Sequence, residues 1–330
     1  MTTVVETQIF TGHEMIRQAE VRIRPYIRET SLEHAPDLET GDGSVWLKCE
    51  HQQVTGSFKV RGALNSFALL SDEQRAAGVV ACSAGNHGLG VAYAAQVHGV
   101  GATIFVPQTV DPSRKRELER FPVDLRIMGG SYGETERIAR SFAAESSRAF
   151  ISPYNNPHVI AGQGTLAIEL IKQLPEVEQI LIAVGGGGLL AGIASYAKAL
   201  KPDIKIVAVS PSNSAAMFDE LSSIPQEYRT CVPTLSDSTA GPIEPGSITL
   251  DLCRALIDQW ALVEEEEIAA AMRYLFFEHR LVVEGAGALA VAAYLKEQEY
   301  FKDRHTALII CGGTIDMRRF AELMRLPSSG

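Results

Sequence analysis

Short apolar runs rich in β-branched residues alternate with longer amphipathic stretches along most of the chain. Runs at 79–82, 102–106, 124–128, 180–184, 204–209 and 307–311 predict strands. The stretches 88–98, 112–121, 134–147, 159–174, 189–200 and 265–278 carry helical periodicity, with Pro175 and Pro202 as helix stops. Strand–helix alternation predicts an α/β fold of parallel sheets covered by helices. Ligands in open sheets of this kind sit beyond the carboxyl ends of the strands. There the sequence places three glycine-bearing loops, 83–88, 185–188 and 312–313. The run Glu264-Glu265-Glu266-Glu267 reads as a solvated first turn of a helix, where acids suit the dipole.

Two of these loops have the makings of anion sites. Gly185, Gly186, Gly187 and Gly188 follow the apolar run 179–184 and precede a helical stretch. Glycines let backbone N–H groups converge on a phosphate, and the helix N-terminus adds its dipole. A tight turn alone needs only one or two glycines. Ser83-Ala84-Gly85-Asn86-His87-Gly88 has the same strand–loop–helix setting, and its N–H groups with the Ser83 and Asn86 side chains suit a carboxylate. A third segment, Ser57-Phe58-Lys59, follows a strand-like run at 45–50 and opens a helical stretch. A lysine at a helix mouth with a buried stem has a lowered pKa and suits Schiff-base chemistry. The alternative is a surface lysine whose stem snorkels.

Composition narrows the class. The chain has 330 residues, 46% hydrophobic and 21% charged, enough for two domains with ample core. A net charge of −10 argues against nucleic acid as a partner. No apolar run approaches membrane-spanning length, and residues 1–20 carry no long apolar h-region. The cysteines, Cys49, Cys82, Cys231, Cys253 and Cys311, form no Cys-x-x-Cys pair, which fits reduced thiols and a cytoplasmic location.

Taken in order, Ser57-Phe58-Lys59-Val60-Arg61-Gly62-Ala63, Ser83-Ala84-Gly85-Asn86-His87, Val159-Ile160-Ala161-Gly162-Gln163-Gly164-Thr165, Gly185 to Gly188 and Cys311-Gly312-Gly313 carry a resemblance. The chain resembles the serine/threonine dehydratase and serine racemase family of pyridoxal 5'-phosphate enzymes, from about Arg17 to Met317. The resemblance implies fold type II (tryptophan synthase β-like): two open parallel-sheet domains with the cofactor between them. Residues 1–52 and 148–330 would form a large discontinuous domain and 53–147 a small one. A homodimer is implied. A C-terminal regulatory domain of the biosynthetic threonine dehydratase type is not expected, nor its feedback control.

The same resemblance assigns residues. Lys59 would carry the cofactor and act as the base for the Cα proton, with Phe58 beside the ring. Gly185, Gly186, Gly187 and Gly188 would cradle the phosphate, Asn86 would meet the ring hydroxyl oxygen, and Cys311 the pyridine nitrogen. Ser83, Ala84, Asn86 and His87 would bound the substrate carboxylate, with no proton transfer expected of His87. A thiol is a poor proton donor to the ring nitrogen, which disfavours transamination and suits fast loss of a β-hydroxyl. Three positions depart from the family pattern. Ala84 stands where serine racemases carry Ser. Ser210 and Ala216 stand where metal-dependent members place carboxylates, so no metal is expected. The loop Thr239-Ala240-Gly241-Pro242-Ile243-Glu244-Pro245-Gly246 differs from the usual one, and Glu244 is either solvated or reads an amino group on a substrate larger than serine.

The expected activity is α,β-elimination of a β-hydroxy-α-amino acid, L-threonine or L-serine, to a 2-oxo acid and ammonia. Amino-acid racemisation, β-replacement and dehydration of a larger hydroxylated substrate from hydroxyectoine breakdown are the alternatives within the class. A nicotinamide dehydrogenase is the rival outside it, since Gly186-x-Gly188-x-x-Ala191 fits the dinucleotide fingerprint. That motif wants an acid at the end of the next strand, and Val209-Ser210-Pro211 has none. A non-enzymatic binding module would leave Lys59 and Cys311 without a role.

Overall fold

A computed structural model describes residues 4–325. Among the described residues ten strands form two open sheets. The larger has the order β1-β2-β10-β7-β8-β9, with β1 Leu32–His34, β2 Val45–Lys48, β7 Gln179–Ala183, β8 Lys205–Pro211, β9 Gln259–Val263 and β10 Thr306–Ile309. The smaller has the order β5-β4-β3-β6, with β3 Val79–Cys82, β4 Ala102–Val106, β5 Asp124–Ile127 and β6 Ala149–Phe150. Every pairing is parallel except β1 with β2 at one edge. The central strands β3, β4, β7 and β10 are buried along their whole length. Covered on both faces, they read as continuous apolar runs. The edge strands β1, β5 and β9 are only partly buried. The smaller sheet includes β6, so it reaches past residue 147.

Helix starts follow cap chemistry. The helix expected from 159 begins at Pro157, because Asn156 accepts hydrogen bonds from the His158 and Val159 N–H groups at 2.8 and 3.2 Å. The acidic run is a capping box, with Glu264 N–H donating to Glu267 at 2.8 Å. Not all of it is solvated: Glu265 accepts the Leu235 N–H at 2.6 Å and holds the start of the 235–247 loop.

The helix Lys59–Ala68 lies between the helices of the two sheets, called below the smaller and the larger unit. It packs on helix Asn86–His98 of the smaller and on helix Pro157–Gln173 of the larger. At the second contact a Cβ on Gly162 would lie 2.6 Å from the Gly62 Cα and 2.5 Å from the Arg61 carbonyl. The two helices therefore touch backbone to backbone, and Gln163 accepts the Gly62 N–H at 3.2 Å.

Beside that contact lies a buried charge network. Arg61 donates to Glu50 through Nε at 2.8 Å and Nη2 at 2.7 Å, and Nη2 lies 2.9 Å from Glu169. Glu169 also takes Lys48 Nζ at 2.7 Å and Arg24 at 2.6 Å. The Lys48 and Arg61 side chains have no exposed surface. The attraction of Arg61 and Lys48 holds the Glu169 carboxyl down at about 2, against the opposing effect of burial.

Candidate active site

Lys59 is the first residue of its helix, and the chain leading to it is pinned to the end of β10. Ser57 bridges Gly312, and the Phe58 N–H donates to the Cys311 carbonyl at 3.1 Å. Lys59 is half-buried, and its Nζ donates to the Pro153 carbonyl at 3.0 Å and lies 5.1 Å from the Phe58 ring centre. Burial of the amine lowers its pKa to about 8, opposed by the neighbouring Cys311 and Glu284.

The 83–88 loop meets this point through Asn86, the first residue of its helix. Asn86 Nδ2 donates to Glu284 at 2.6 Å, while its Oδ1 is buried without a partner. A Cβ on Gly312 would sit 2.4 Å from Glu284 and 3.2 Å from Asn86 Nδ2, which brings the loops around 86 and 312 into contact. The Ser83 hydroxyl accepts the Gly85 N–H at 3.2 Å. Ala84 is partly buried against the core of the smaller unit. The His87 ring donates from Nε2 to the Ile151 carbonyl at 2.9 Å, and burial lowers its pKa to about 3, so it is neutral and ties the helix start to the chain after β6.

The glycine loop completes the ring. Gly187, with φ of 82°, precedes helix Gly188–Leu200, whose first N–H groups have no partner inside the helix. No side chain could be added to the loop: a Cβ on Gly186 would lie 2.3 Å from the Tyr154 ring, and one on Gly185 would lie 2.7 Å from the Thr239 carbonyl. Tyr154 follows Pro153, the acceptor of Lys59, so the lysine and the glycine loop are one residue apart along the 152–155 turn. The loops around 86 and 312 thus meet at Glu284, and the glycine loop reaches Lys59 through Tyr154 and Pro153.

Glu284 and Tyr154 belong to this crevice and went unseen in the sequence. Glu284 is buried, and burial with the nearby Asp237 raises its pKa to about 7. Burial also pushes the Cys311 thiol up, so it stays protonated. Glu244 is not simply solvated. Its carboxylate takes Arg140 at 2.7 Å and Asn155 at 2.9 Å, with Ser152 at 3.3 Å. Ser210 is buried in β8 and donates to the Val184 carbonyl at 3.0 Å, and Ala216 opens the short helix Ala216–Leu221. Among the described residues no three His, Cys, Asp or Glu side chains cluster as metal ligands do.

A half-buried lysine of lowered pKa, an anion cradle at a helix N-terminus and a buried amide whose oxygen has no partner suit a phosphate-bearing carbonyl cofactor. The chain belongs to the family of pyridoxal-phosphate dependent enzymes, whose pattern matches residues 23–312. It is similar to the L-threonine ammonia-lyase of Thermotoga maritima, 38% identical over 92% of this chain and 76% of that one. The catabolic L-threonine dehydratase of Staphylococcus aureus is 34% identical over 96% of this chain and 93% of its own. Maize serine racemase superposes with a TM-score of 0.87 at 30% identity, over 94% of this chain and 96% of that one. The fold is the tryptophan synthase β-like one expected from the sequence, and the enzyme depends on pyridoxal phosphate. The nicotinamide reading falls with this finding.

Proposed function

We propose that this enzyme removes water and then ammonia from a β-hydroxy-α-amino acid, L-threonine or L-serine, leaving a 2-oxo acid. The observation that carries the reading is the Lys59 amine, brought down to about 8 by burial and held on the Pro153 carbonyl, one residue from the tyrosine that packs on the glycine loop. A lysine of that pKa supplies free amine near neutrality and can both accept and return a proton. Bound at this site, pyridoxal phosphate supplies an electron sink for the Cα of the amino acid. Lys59 Nζ is the amine that would hold the cofactor and then take the Cα proton. Gly185 to Gly188 would hold its phosphate, Phe58 would lie beside its ring, the Asn86 amide would meet its hydroxyl oxygen and the Cys311 thiol its ring nitrogen. Ser83, Ala84, Asn86 and His87 would bound the substrate carboxylate at the helix start, His87 through its backbone because its ring is already engaged. The enamine released after loss of the β-hydroxyl takes up a proton and hydrolyses in water to the 2-oxo acid and ammonia.

Ala84 favours elimination over racemisation, because a methyl group has no proton to deliver to Cα. The printed activities of the Thermotoga and Staphylococcus relatives support the same choice. Elimination from a larger hydroxylated amino acid is the second reading within this chemistry. We further propose a homodimer acting in the cytoplasm. Support for the location comes from the free thiols, four of the five buried, and from the lack, among the described residues, of a helix long and apolar enough to cross a membrane. The division into units is also a proposal: residues 53–147 with β6 as the smaller, the rest as the larger. A 2-oxo acid assay over a panel of β-hydroxy amino acids tests the function. Release of a 2-oxo acid with equimolar ammonia is expected, and turnover to the D-isomer alone would overturn it.

A further inference from the structure

The loop that departs from the family pattern lies between the two units, and Glu244 is its most connected residue. On one side it pairs with Arg140 of helix Tyr132–Glu145 in the smaller unit at 2.7 Å. Arg140 is held for this contact by Glu136 at 2.7 Å and by the Phe150 ring at 4.2 Å. On the other side Glu244 takes Ser152 and Asn155, the two ends of a four-residue turn, at 3.3 and 2.9 Å. Its own N–H donates to the Tyr154 hydroxyl at 2.8 Å. Three of the four residues of the turn are thus fixed by Glu244. The fourth is Pro153, whose carbonyl is the one hydrogen-bond acceptor of Lys59 Nζ among the described residues.

We infer that Glu244 is a positioning residue: it links Arg140 of the smaller unit to the 152–155 turn and thereby sets where the Lys59 amine rests when it is free. Glu244 touches neither substrate nor cofactor in this role. Proline offers a carbonyl but no N–H; the Ser152 hydroxyl closes the turn by accepting the Asn155 N–H at 3.0 Å, and Glu244 ties both of these ends to Arg140 of the smaller unit. A carboxylate with two oxygens and three donors does this. Because one of the donors comes from the other unit, the resting place of the amine depends on how that unit sits. A second pair, Arg114 with Asp237 at 2.6 Å, ties the same loop to the smaller unit at its other end, but it makes no contact with the turn.

This inference rests on Lys59 being the reactive amine, and the test separates the two. Glu244→Gln and Arg140→Gln holoenzymes, and the double variant, are compared with wild type in kcat, KM, visible circular dichroism of the bound cofactor and melting temperature. Misplacing a reacting group by a fraction of an ångström to an ångström costs about 10- to 100-fold. Each single variant should lose about tenfold or more in kcat with KM little changed, and its cofactor dichroism should shift. The double variant should be no slower than the slower single, because both break one chain of contacts. Arg140→Lys, which keeps the charge, should recover part of the loss. Arg140 lies on a partly exposed helix face, so its variants report on the inference even if Glu244→Gln does not fold. Unchanged kcat and dichroism in Arg140→Gln, or losses that multiply in the double variant, would overturn the inference while borohydride labelling still marks Lys59. A label on another lysine would overturn the Lys59 assignment instead.

Discussion

Replacing Glu169 by Gln tests the buried charge network directly. Glu169 is 2% exposed and faces Arg61, Lys48 and Arg24 at 2.9, 2.7 and 2.6 Å. The amide keeps the volume but leaves Lys48 without a carboxylate partner and Arg61 with Glu50 alone. Removing one member of a buried ion pair costs about 3–5 kcal/mol, most of it for the charge left behind. The same cations hold the carboxyl well below its ordinary value in the folded protein, against the opposing effect of burial. A carboxylate lowered by folding stabilises the protein fully above its unfolded value. That contribution is lost as pH falls from about 4.5 toward about 2. Calorimetric melts at neutral pH should therefore place Glu169→Gln roughly 6–10 °C below wild type, at about 2 °C per kcal/mol for a chain of this size. In acid the difference should shrink, because wild type loses what the variant never had. A melting temperature at neutral pH within about 2 °C of wild type, or a gap that grows in acid, would refute the reasoning.

Three further outcomes follow from the crevice. Lys59→Ala should abolish turnover and borohydride labelling, since the next lysine along the chain, Lys48, is fully occupied by Thr30, Glu169 and Gln173; wild-type-like activity would remove Lys59 from the chemistry. Ala84→Ser should add racemisation, read by chiral chromatography of L-serine incubations, because proton delivery of this kind is worth about 10²–10⁴-fold; substantial D-serine from the unmodified enzyme would contradict it. EDTA should change neither activity nor melting temperature, because Ser210 is spent on the Val184 carbonyl and Ala216 offers no ligand; a loss restored by magnesium would show a cation site elsewhere.

The parts of the site that could be read in the sequence are those carried by contiguous residues. Lys59 and the glycine loop announce themselves through strand–loop–helix order, and each strand that is buried on both faces shows as an apolar run. What escaped is carried by long-range contact. Glu284 reaches Asn86 across 198 residues and Lys48 reaches Glu169 across 121, so neither partner marks the other locally. Lys48 lies inside the strand-like run 45–50, where nothing local marks it, although it is fully buried. Strand β9 was not distinguished because only Ala261 and Val263 of its five residues are buried. Helix Val4–Ile23 was likewise unread, and β1 is too short for a period to emerge. Nothing local marks the partners of Glu244, which lie in two other segments of the chain, helix Tyr132–Glu145 and the 152–155 turn.

The contact of Gly62 with Gly162 changes how the shared motifs should be weighed. The stretch Val159 to Thr165 helps identify the family, yet Gly162 and Gln163 serve the neighbouring helix rather than the reaction. With no side chain between the two backbones, no repacking can absorb a shift of one against the other. A methyl group at Gly162 would have to push the lysine-bearing segment away from the larger unit, whereas one at Gly62 would meet the Gln163 and Val159 side chains. Variation at these positions is therefore a mechanical question, decided by clearance. A relative that kept every reacting group and changed Gly162 would have altered the mounting of its active site while its chemistry still looked intact on paper.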